Sequence, residues 1–335
     1  MFRVAVVGAT GAVGGTMLRV LEERGFPVTE LRPLASSRSA GRQLDYLGKP
    51  VFVETLTDAA FDGIDIALFS AGGDRSRTFA PAAVEAGAVV IDNSSAFRMD
   101  ANVPLVVPEV NEADIEGHSG IIANPNCVAA PLVVALKPIA DAVGLERVIV
   151  ASYQSVSGTG TAAVQELLTE TRGYLDGNEP EPSVYPHPIA FNVLPHIDVF
   201  DESGYTGEER KVAAETRKML GLSDLAISAT CVRVPVIQAH SMAIHIETSE
   251  KISPQHVREL LMVAPGVALV DDPAHNRYPL AREATGRDEV FVGRIREDSS
   301  HPRGIAMWLV SDNLRKGAAT NAVQIAESLV TRGWL

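Results

Sequence analysis

Cysteine is nearly absent from this chain. Only Cys127 and Cys231 occur in 335 residues, which excludes a disulfide scaffold and fits a cytoplasmic location. Each thiol is then either core filler or a reactive group. Positive charge is also scarce: 29 Lys and Arg stand against 42 Asp and Glu, a net charge of −13. That balance argues against a nucleic-acid surface or an anionic membrane partner. It leaves small anionic substrates open, because a few local arginines can outvote the global sign. Apolar stretches are broken well short of about 18 residues, so no transmembrane helix is expected. The opening Met1–Gly11 lacks the zones of a signal peptide. There is no internal repeat and no low-complexity tract. What remains is a globular composition, 46% hydrophobic and 21% charged, with length for two domains.

The first half alternates strand and helix. Val4–Val7 is a short apolar run, 8–14 a glycine turn, and Val13–Arg24 has helical spacing that Gly25 and Pro27 end. Leu31–Ala35, Ile64–Ser70, Ala88–Ile91 and Leu105–Val107 read as buried strands, with a helix near Ser76–Ala86. Continuous apolar strands between helices imply a parallel sheet covered on both faces. After Cys127 a helix Val128–Val143 follows, in which Pro131 and Pro138 should end or bend the chain. Longer strands come next, at Arg147–Val156, Ile227–Val234, Ser241–Thr248, Glu289–Ile295 and Gly304–Val310, with helices at Ala162–Tyr174 and Glu208–Leu220. They predict a mixed, largely antiparallel sheet. Asp176–Thr206 is proline-rich and aperiodic, a long excursion that favours a functional or interface role. The last helix, Leu314–Val330, has one apolar face suited to packing back on the first domain. The expected fold is therefore α/β: a Rossmann-like domain of 1–127 plus 313–335, and an α+β catalytic and dimerisation domain of 128–312.

Gly8-Ala9-Thr10-Gly11-Ala12-Val13-Gly14 sits between the first strand and the first helix. Glycine there permits the sharp turn and lets backbone N–H groups approach a pyrophosphate at the helix start. The spacing is GxxGxxG, weak as a bare pattern, but its place right after a hydrophobic strand strengthens it. An NAD enzyme needs an acid at the end of the second strand for the ribose 2′-hydroxyl. Here Ser36, Ser37, Arg38 and Ser39 stand there instead, and a guanidinium with hydroxyls suits a 2′-phosphate. NADP is the expected cofactor. No metal is expected.

Cys127 follows Asn-Pro-Asn and precedes an apolar helix. A thiol at a helix N-terminus feels partial positive charge, which favours the thiolate. Cys231, inside a strand, reads as core. A nucleophilic cysteine needs a proton partner, and His240 competes for it with seven other histidines. His245, five residues on in the same strand, points to the opposite face and reads as structural.

At this point the chain resembles the aspartate-semialdehyde dehydrogenases, nearly end to end and most closely the Gram-positive-type branch. The resemblance rests on the glycine turn, Ser-Ser-Arg-Ser-Ala-Gly (36–41), Asp-Asn-Ser-Ser-Ala-Phe-Arg (92–98), Pro-Glu-Val-Asn (108–111) and Asn-Pro-Asn-Cys (124–127). It continues through Ser-Val-Ser-Gly (155–158), Arg-Val-Pro-Val-x-x-x-His (233–240) and Asp-Asn-Leu-Arg-Lys-Gly-Ala-Ala (312–319). It implies reversible reduction of L-aspartyl 4-phosphate by NADPH to L-aspartate 4-semialdehyde and phosphate, through a cysteine thioester, in lysine, threonine and methionine synthesis. It implies Cys127 as nucleophile, His240 as general acid/base and Gln154 beside the substrate. It assigns Arg233 to the α-carboxylate, Glu208 to the α-ammonium, Arg98 with Lys211 to the phosphate, and Asn126 to the substrate. Gly8, Thr10, Gly11, Ala12, Val13, Ser36, Arg38, Ser39, Ser157, Gly158 and Asn313 are implied to line the NADP site. One departure is plain: the family commonly has Ser or Thr after the nucleophile, and this chain has Val128.

Rival readings are an N-acetyl-glutamyl-phosphate reductase, an acyl-CoA reductase and a non-catalytic NADP-binding relative. The first usually carries a His-Pro-Gly-Cys type motif, absent here. The second needs no phosphate clamp, and the third needs no Cys127, Gln154 and His240. The long excursion and the extended strands, which resemble the family's dimerisation sheet, lead to the expectation of a homodimer.

Overall fold

The structure is a computed structural model that describes residues 1–178 and 181–335. Of the Asp176–Thr206 excursion, Glu179 and Pro180 lie outside the described residues. In chain order the first elements are β1 (Phe2–Val7), α1 (Ala12–Glu23), β2 (Val28–Ala35), β3 (Gln43–Tyr46), β4 (Lys49–Phe52), β5 (Glu54–Thr55), β6 (Ile66–Phe69), α2 (Gly73–Glu85), β7 (Val89–Asp92), α3 (Pro108–Asn111) and β8 (Ile121–Ala123). Then come α4 (Ala129–Val143), β9 (Leu145–Gln154), α5 (Thr161–Leu175), α6 (Gly207–Leu220), β10 (Ala226–Arg233), β11 (His240–Thr248), α7 (Pro254–Val263), β12 (Val267–Leu269), α8 (Ala281–Ala284), β13 (Val290–Glu297), β14 (Gly304–Ser311) and α9 (Thr320–Arg332). The chain forms two compact units, Met1–Asn126 with Gly317–Leu335, and Cys127–Lys316. Cys127 and Asn313 both fall in the second unit. The reason is local. Cys127 leads directly into buried α4, and the Asn313 side chain is bonded to Ala239, Ser155 and Ser157.

In the first unit a parallel sheet runs β5-β2-β1-β6-β7-β8. Alternate residues of β1 serve opposite faces, as a strand's geometry requires. Val4 and Val6 join Met17 and Leu21 of α1 and Val323 and Ile325 of α9 in one apolar cluster. Ala5 and Val7 join Leu34, Phe69, Ala80 and Ala83 in another. Both faces are thus covered, which is why these strands read as continuous apolar runs. Leu105–Val107 is not a strand: only Leu105 makes a bridge, to Ala123, and Pro104 and Pro108 flank the segment. The hairpin β3–β4 was not anticipated, since its strands are four residues each and mostly exposed.

In the second unit a mixed sheet runs β10-β9-β11-β14-β13-β12. β9 is parallel to β10 and antiparallel to β11. On β9, Val148, Val150, Ser152 and Gln154 are buried, while Ile149 and Tyr153 remain 38% and 37% exposed on the other face. Helix α4 is buried along most of its length. It runs unbroken through both prolines that were expected to end or bend it. Pro131 falls in the first turn, where the missing N–H has no intrahelical acceptor to lose. Pro138 costs one internal bond, and burial of Leu132, Leu136 and Ile139 around it outweighs that loss. Two buried carboxylates of α5 hold part of the excursion. Glu166 accepts from the amides of Ser183, Val184 and Tyr185, and Glu170 from those of Ile189 and Ala190.

The glycine turn sets a sharp test of local packing. A Cβ on Gly14 would lie 2.2 Å from the carbonyl oxygen of Gly8, whereas one on Gly15 would meet nothing within 4 Å. Gly14→Ala is expected to lower the unfolding free energy by about 1–3 kcal/mol. Gly15→Ala, in the helix interior, is expected to raise it by up to about 1 kcal/mol. Urea unfolding of the two variants beside the native chain checks both signs.

Candidate active site

Strand ends assemble the site in the second unit. β9 and β10 run in parallel and pair Gln154 with Arg233, so both chains finish side by side. β11 runs back along β9, which places its first residue, His240, at the same end. Each of these side chains is on the buried parity of its strand, with Gln154 at 1%, Arg233 at 6% and His240 at 0% exposure.

Cys127 stands just before Val128, the N-cap of α4. No side chain caps that helix start, the structural counterpart of the missing Ser or Thr. Cys127 Sγ lies 3.4 Å from His240 Nε2. On the far side of the ring, Nδ1 accepts the Ser155 amide at 3.0 Å and lies 3.0 Å from Ser155 Oγ. Complete burial, and next the charge of Arg233, hold the His240 pKa well below that of an ordinary imidazole. The ring is neutral at physiological pH.

Arg233 donates from Nη1 to the Ser155 carbonyl at 2.7 Å, and its centre lies 5.9 Å from the Tyr185 ring centroid. Its Nε is buried without a hydrogen-bond partner, a donor that a carboxylate would satisfy. Gln154 donates to Ser152 Oγ and to Glu208 Oε1 at 3.2 Å. Glu208 is buried, and Lys211 reaches its Oε2 at 3.1 Å and Asp198 at 2.8 Å. The ion pair that their spacing on one helix allows is therefore formed. Burial pushes the Lys211 ammonium toward neutrality, but Glu208 and Asp198 outweigh it and raise the pKa, so it stays charged. A capping box of Thr206 and Glu209 fixes the start of α6 and hence both side chains. Gly158 has its own reason. A Cβ there would meet Arg233 Nη1 at 3.1 Å and the His240 ring at 3.3 Å.

Asn313 and Ser157 form the wall behind His240. Asn313 Oδ1 accepts from the amide of Ala239 at 3.0 Å and from Ser155 Oγ at 3.1 Å, and Nδ2 donates to Ser157 Oγ at 3.0 Å. Ala239 has φ of 71°, a left-handed conformation that costs an L-residue about 1–2 kcal/mol. Ser155, Ala239, Tyr185 and Asp198 were given no role from the sequence. Ser155 lay inside a quoted motif, but nothing in a single sequence marks an alanine for positive φ.

In the first unit Gly8 has φ of 85°, and a Cβ there would lie 2.8 Å from the Ser70 carbonyl oxygen. The turn closes by the bond from the Gly11 amide to the Gly8 carbonyl at 2.9 Å. Gly11 caps α1, whose first turn, with Ala12 and Val13, holds no acid; Thr10 precedes it. The positive end of the helix is thus open to an anion. β2 ends at Ala35, and Ser36 caps a short turn Ser37–Ser39 in which Arg38 is exposed. Arg98 is buried, with Nε donating to the Asn124 carbonyl at 2.9 Å and Nη2 to that of Asn93 at 2.7 Å. Asn126 is buried as well.

The remaining candidates are structural. Cys231 is 1% exposed, and burial above all pushes its thiol up to about 12. His245 faces away from His240 and pairs with Asp298 at 2.7 Å. Among the described residues no helix is long and apolar enough to cross a membrane, and no group of three or more His, Cys, Asp or Glu is arranged to hold a metal.

Comparison with known proteins completes the picture. The family described as "Semialdehyde dehydrogenase, NAD binding domain" matches residues 3–118, and "Semialdehyde dehydrogenase, dimerisation domain" matches 136–316. The chain is 56% identical to the aspartate-semialdehyde dehydrogenase of Aquifex aeolicus, covering 99% of both chains. It is 51% identical to that of Bacillus subtilis, over 97% of this chain and 96% of the relative. Among solved structures, aspartate semialdehyde dehydrogenase II of Vibrio cholerae complexed with ASA matches with a TM-score of 0.96 at 50% identity, covering 99% of this chain and 98% of that one. The enzyme of Candida albicans with NADP matches with a TM-score of 0.77 at 26% identity over the whole of both chains.

The two thiols differ enough to be told apart chemically. Under native conditions iodoacetamide is expected to modify Cys127 and to spare Cys231, read by peptide mass spectrometry before and after denaturation.

Proposed function

We propose residue roles for a chain that belongs to the aspartate-semialdehyde dehydrogenase family. The activity is that of an NADP-dependent, phosphorylating oxidoreductase acting on an aldehyde group. In the direction of synthesis Cys127 attacks the acyl carbonyl of L-aspartyl 4-phosphate, a thioester forms and phosphate leaves. Bound NADPH supplies the hydride that converts the thioester to L-aspartate 4-semialdehyde. The observation that carries this reading is the contact of Cys127 Sγ with His240 Nε2 at 3.4 Å. His240 is the acid/base partner at that sulfur, and Gln154 adjoins the substrate. Donors near the start of α4 stabilise the tetrahedral oxyanion.

Arg233 takes the α-carboxylate, and its buried, partnerless Nε supports that role. Glu208 takes the α-ammonium, which a buried carboxylate favours. Lys211 and Arg98 hold the phosphate, and Asn126 the substrate. For the nucleotide, Gly8, Thr10, Gly11, Ala12 and Val13 hold the pyrophosphate, and Ser36, Arg38 and Ser39 the 2′-phosphate. Ser157, Gly158 and Asn313 complete the NADP site. The acid-free start of α1 and the absence of an acid at the end of β2 fit that cofactor. In this reading residues 1–127 with 313–335 bind nucleotide, and 128–312 carry catalysis and dimerisation. The protein is a cytoplasmic homodimer, consistent with the dimerisation domain it contains.

The test measures NADPH formation from aspartate semialdehyde, with phosphate present or omitted. Turnover should require phosphate and fall at least about ten-thousand-fold in Cys127→Ala; full activity in that variant removes the mechanism. Arg38→Asp should raise the KM for NADPH about ten- to a hundredfold and leave that for NADH nearly unchanged. Light scattering at micromolar concentration should give the mass of two chains, and a monomer mass removes the dimer.

A further inference from the structure

We infer that Tyr185 is a positioning residue for Arg233: its ring holds the guanidinium plane so that one edge stays open to the substrate's α-carboxylate, and it thereby sets the preference for substrates that carry that group. The inference deepens the role proposed for Arg233 and rests on it.

The three guanidinium nitrogens of Arg233 are not equivalent. Nη1 makes the side chain's one hydrogen bond among the described residues, to the Ser155 carbonyl at 2.7 Å. Nε is buried without a partner. Nε and Nη2 share the remaining edge of the plane, and two parallel N–H bonds from one edge are the geometry of a bidentate carboxylate pair. A long side chain free to turn would not present that edge, because ordering it costs entropy. Something has to hold the plane beforehand.

The excursion holds Arg233 at two points. The backbones of Arg233 and Leu194 exchange hydrogen bonds at 2.8 and 2.9 Å. The guanidinium carbon lies over the Tyr185 ring, 5.9 Å from its centroid, within reach of the attraction between a cation and an aromatic face. A ring on the face of the cation leaves the edges free, whereas a carboxylate from the protein would occupy one.

Tyr185 is itself fixed. Its amide donates to Glu166 Oε1 at 3.1 Å, while the amides of Ser183 and Val184 and the Ser183 hydroxyl converge on Oε2. Burial alone would raise the Glu166 pKa, but these bonds together lower it, so the anchor remains a carboxylate. The Tyr185 hydroxyl lies 2.9 Å from Thr159 Oγ1. Thr159 follows Gly158, where a Cβ would meet Arg233 Nη1 at 3.1 Å. The ring also packs against the apolar cluster that contains Val156, Leu167 and Ile189. Burial is the largest influence on the phenol and raises its pKa. The ring is therefore uncharged near neutral pH, and it leaves the charge of Arg233 to the substrate.

The experiment compares L-aspartate 4-semialdehyde with 3-aminopropanal, the same aldehyde without the α-carboxylate. The full-length native chain, Tyr185→Ala, Tyr185→Phe and Arg233→Leu are each assayed with phosphate and NADP at saturation. Tyr185→Ala is expected to lower kcat/KM for the semialdehyde about five- to thirtyfold, mainly through KM, and to leave that for 3-aminopropanal within about twofold. Tyr185→Phe, which keeps the ring, should return the ratio of the two substrates close to the native one. Equal losses on both substrates, an unchanged ratio in Tyr185→Ala, or a lost ratio in Tyr185→Phe would each overturn the inference. Arg233→Leu separates the two readings. If it keeps the preference for the carboxylate, the role of Arg233 fails; if it loses the preference while Tyr185→Ala keeps it, this inference fails alone. A second readout needs no turnover. L-aspartate should protect Cys127 from iodoacetamide at lower concentration than β-alanine, which lacks the same carboxylate, and Tyr185→Ala should narrow that gap. An undiminished gap overturns the inference even if the native chain proves inactive, which defeats the functional reading.

Discussion

Three side chains at the end of β9 in the second unit are held by one residue, Ser155. Its amide fixes His240, its carbonyl fixes Arg233, and its hydroxyl meets Asn313. The strand order makes this possible. A parallel neighbour brings Arg233 to the end of β9, and an antiparallel neighbour brings His240 there from the opposite direction. In a parallel pair the last residue of one strand lies beside the last residue of its neighbour, so only an antiparallel neighbour brings a first residue to the same end. The mixed topology is therefore a requirement of the site, and so is the buried parity of each strand end.

The electrostatics are local where the composition is global. A chain with a net charge of −13 buries Arg233 and Arg98 almost completely. It keeps Lys211 charged by setting it between Glu208 and Asp198. Carboxylates also hold the chain itself, since Glu166 and Glu170 gather five backbone amides of the excursion between them. An excess of acid in the sequence is thus partly structural, placed where amides would otherwise be buried without acceptors.

Much of this was legible before any coordinates. Long apolar runs and helical spacing carry their own periodicity, so β1, α1, β9, β11 and α6 fall where the pattern puts them, within a residue or two. The glycine turn was readable because steric need at Gly8 and Gly14 is written in residue type. The errors have physical sources too. Prolines in α4 read as ending or bending the helix, but it continues through both, because one sits where no internal bond exists and the other is outweighed by burial. Leu105–Val107 has strand composition without a continuous partner. Short exposed strands such as β3 and β4 bury too little to leave a pattern. Ser155 and Ala239 act through backbone groups, and a side-chain alphabet does not encode what an amide or a φ angle will do.

Ala239 has a consequence for anyone redesigning this chain for heat tolerance. Glycine at that position relieves the left-handed backbone and is the obvious thermostabilising substitution. Yet the same residue immediately precedes the imidazole that faces Cys127 Sγ, and glycine there would widen the backbone freedom next to it. Relief of backbone strain and the register of the imidazole against the sulfur pull in opposite directions at one methyl group.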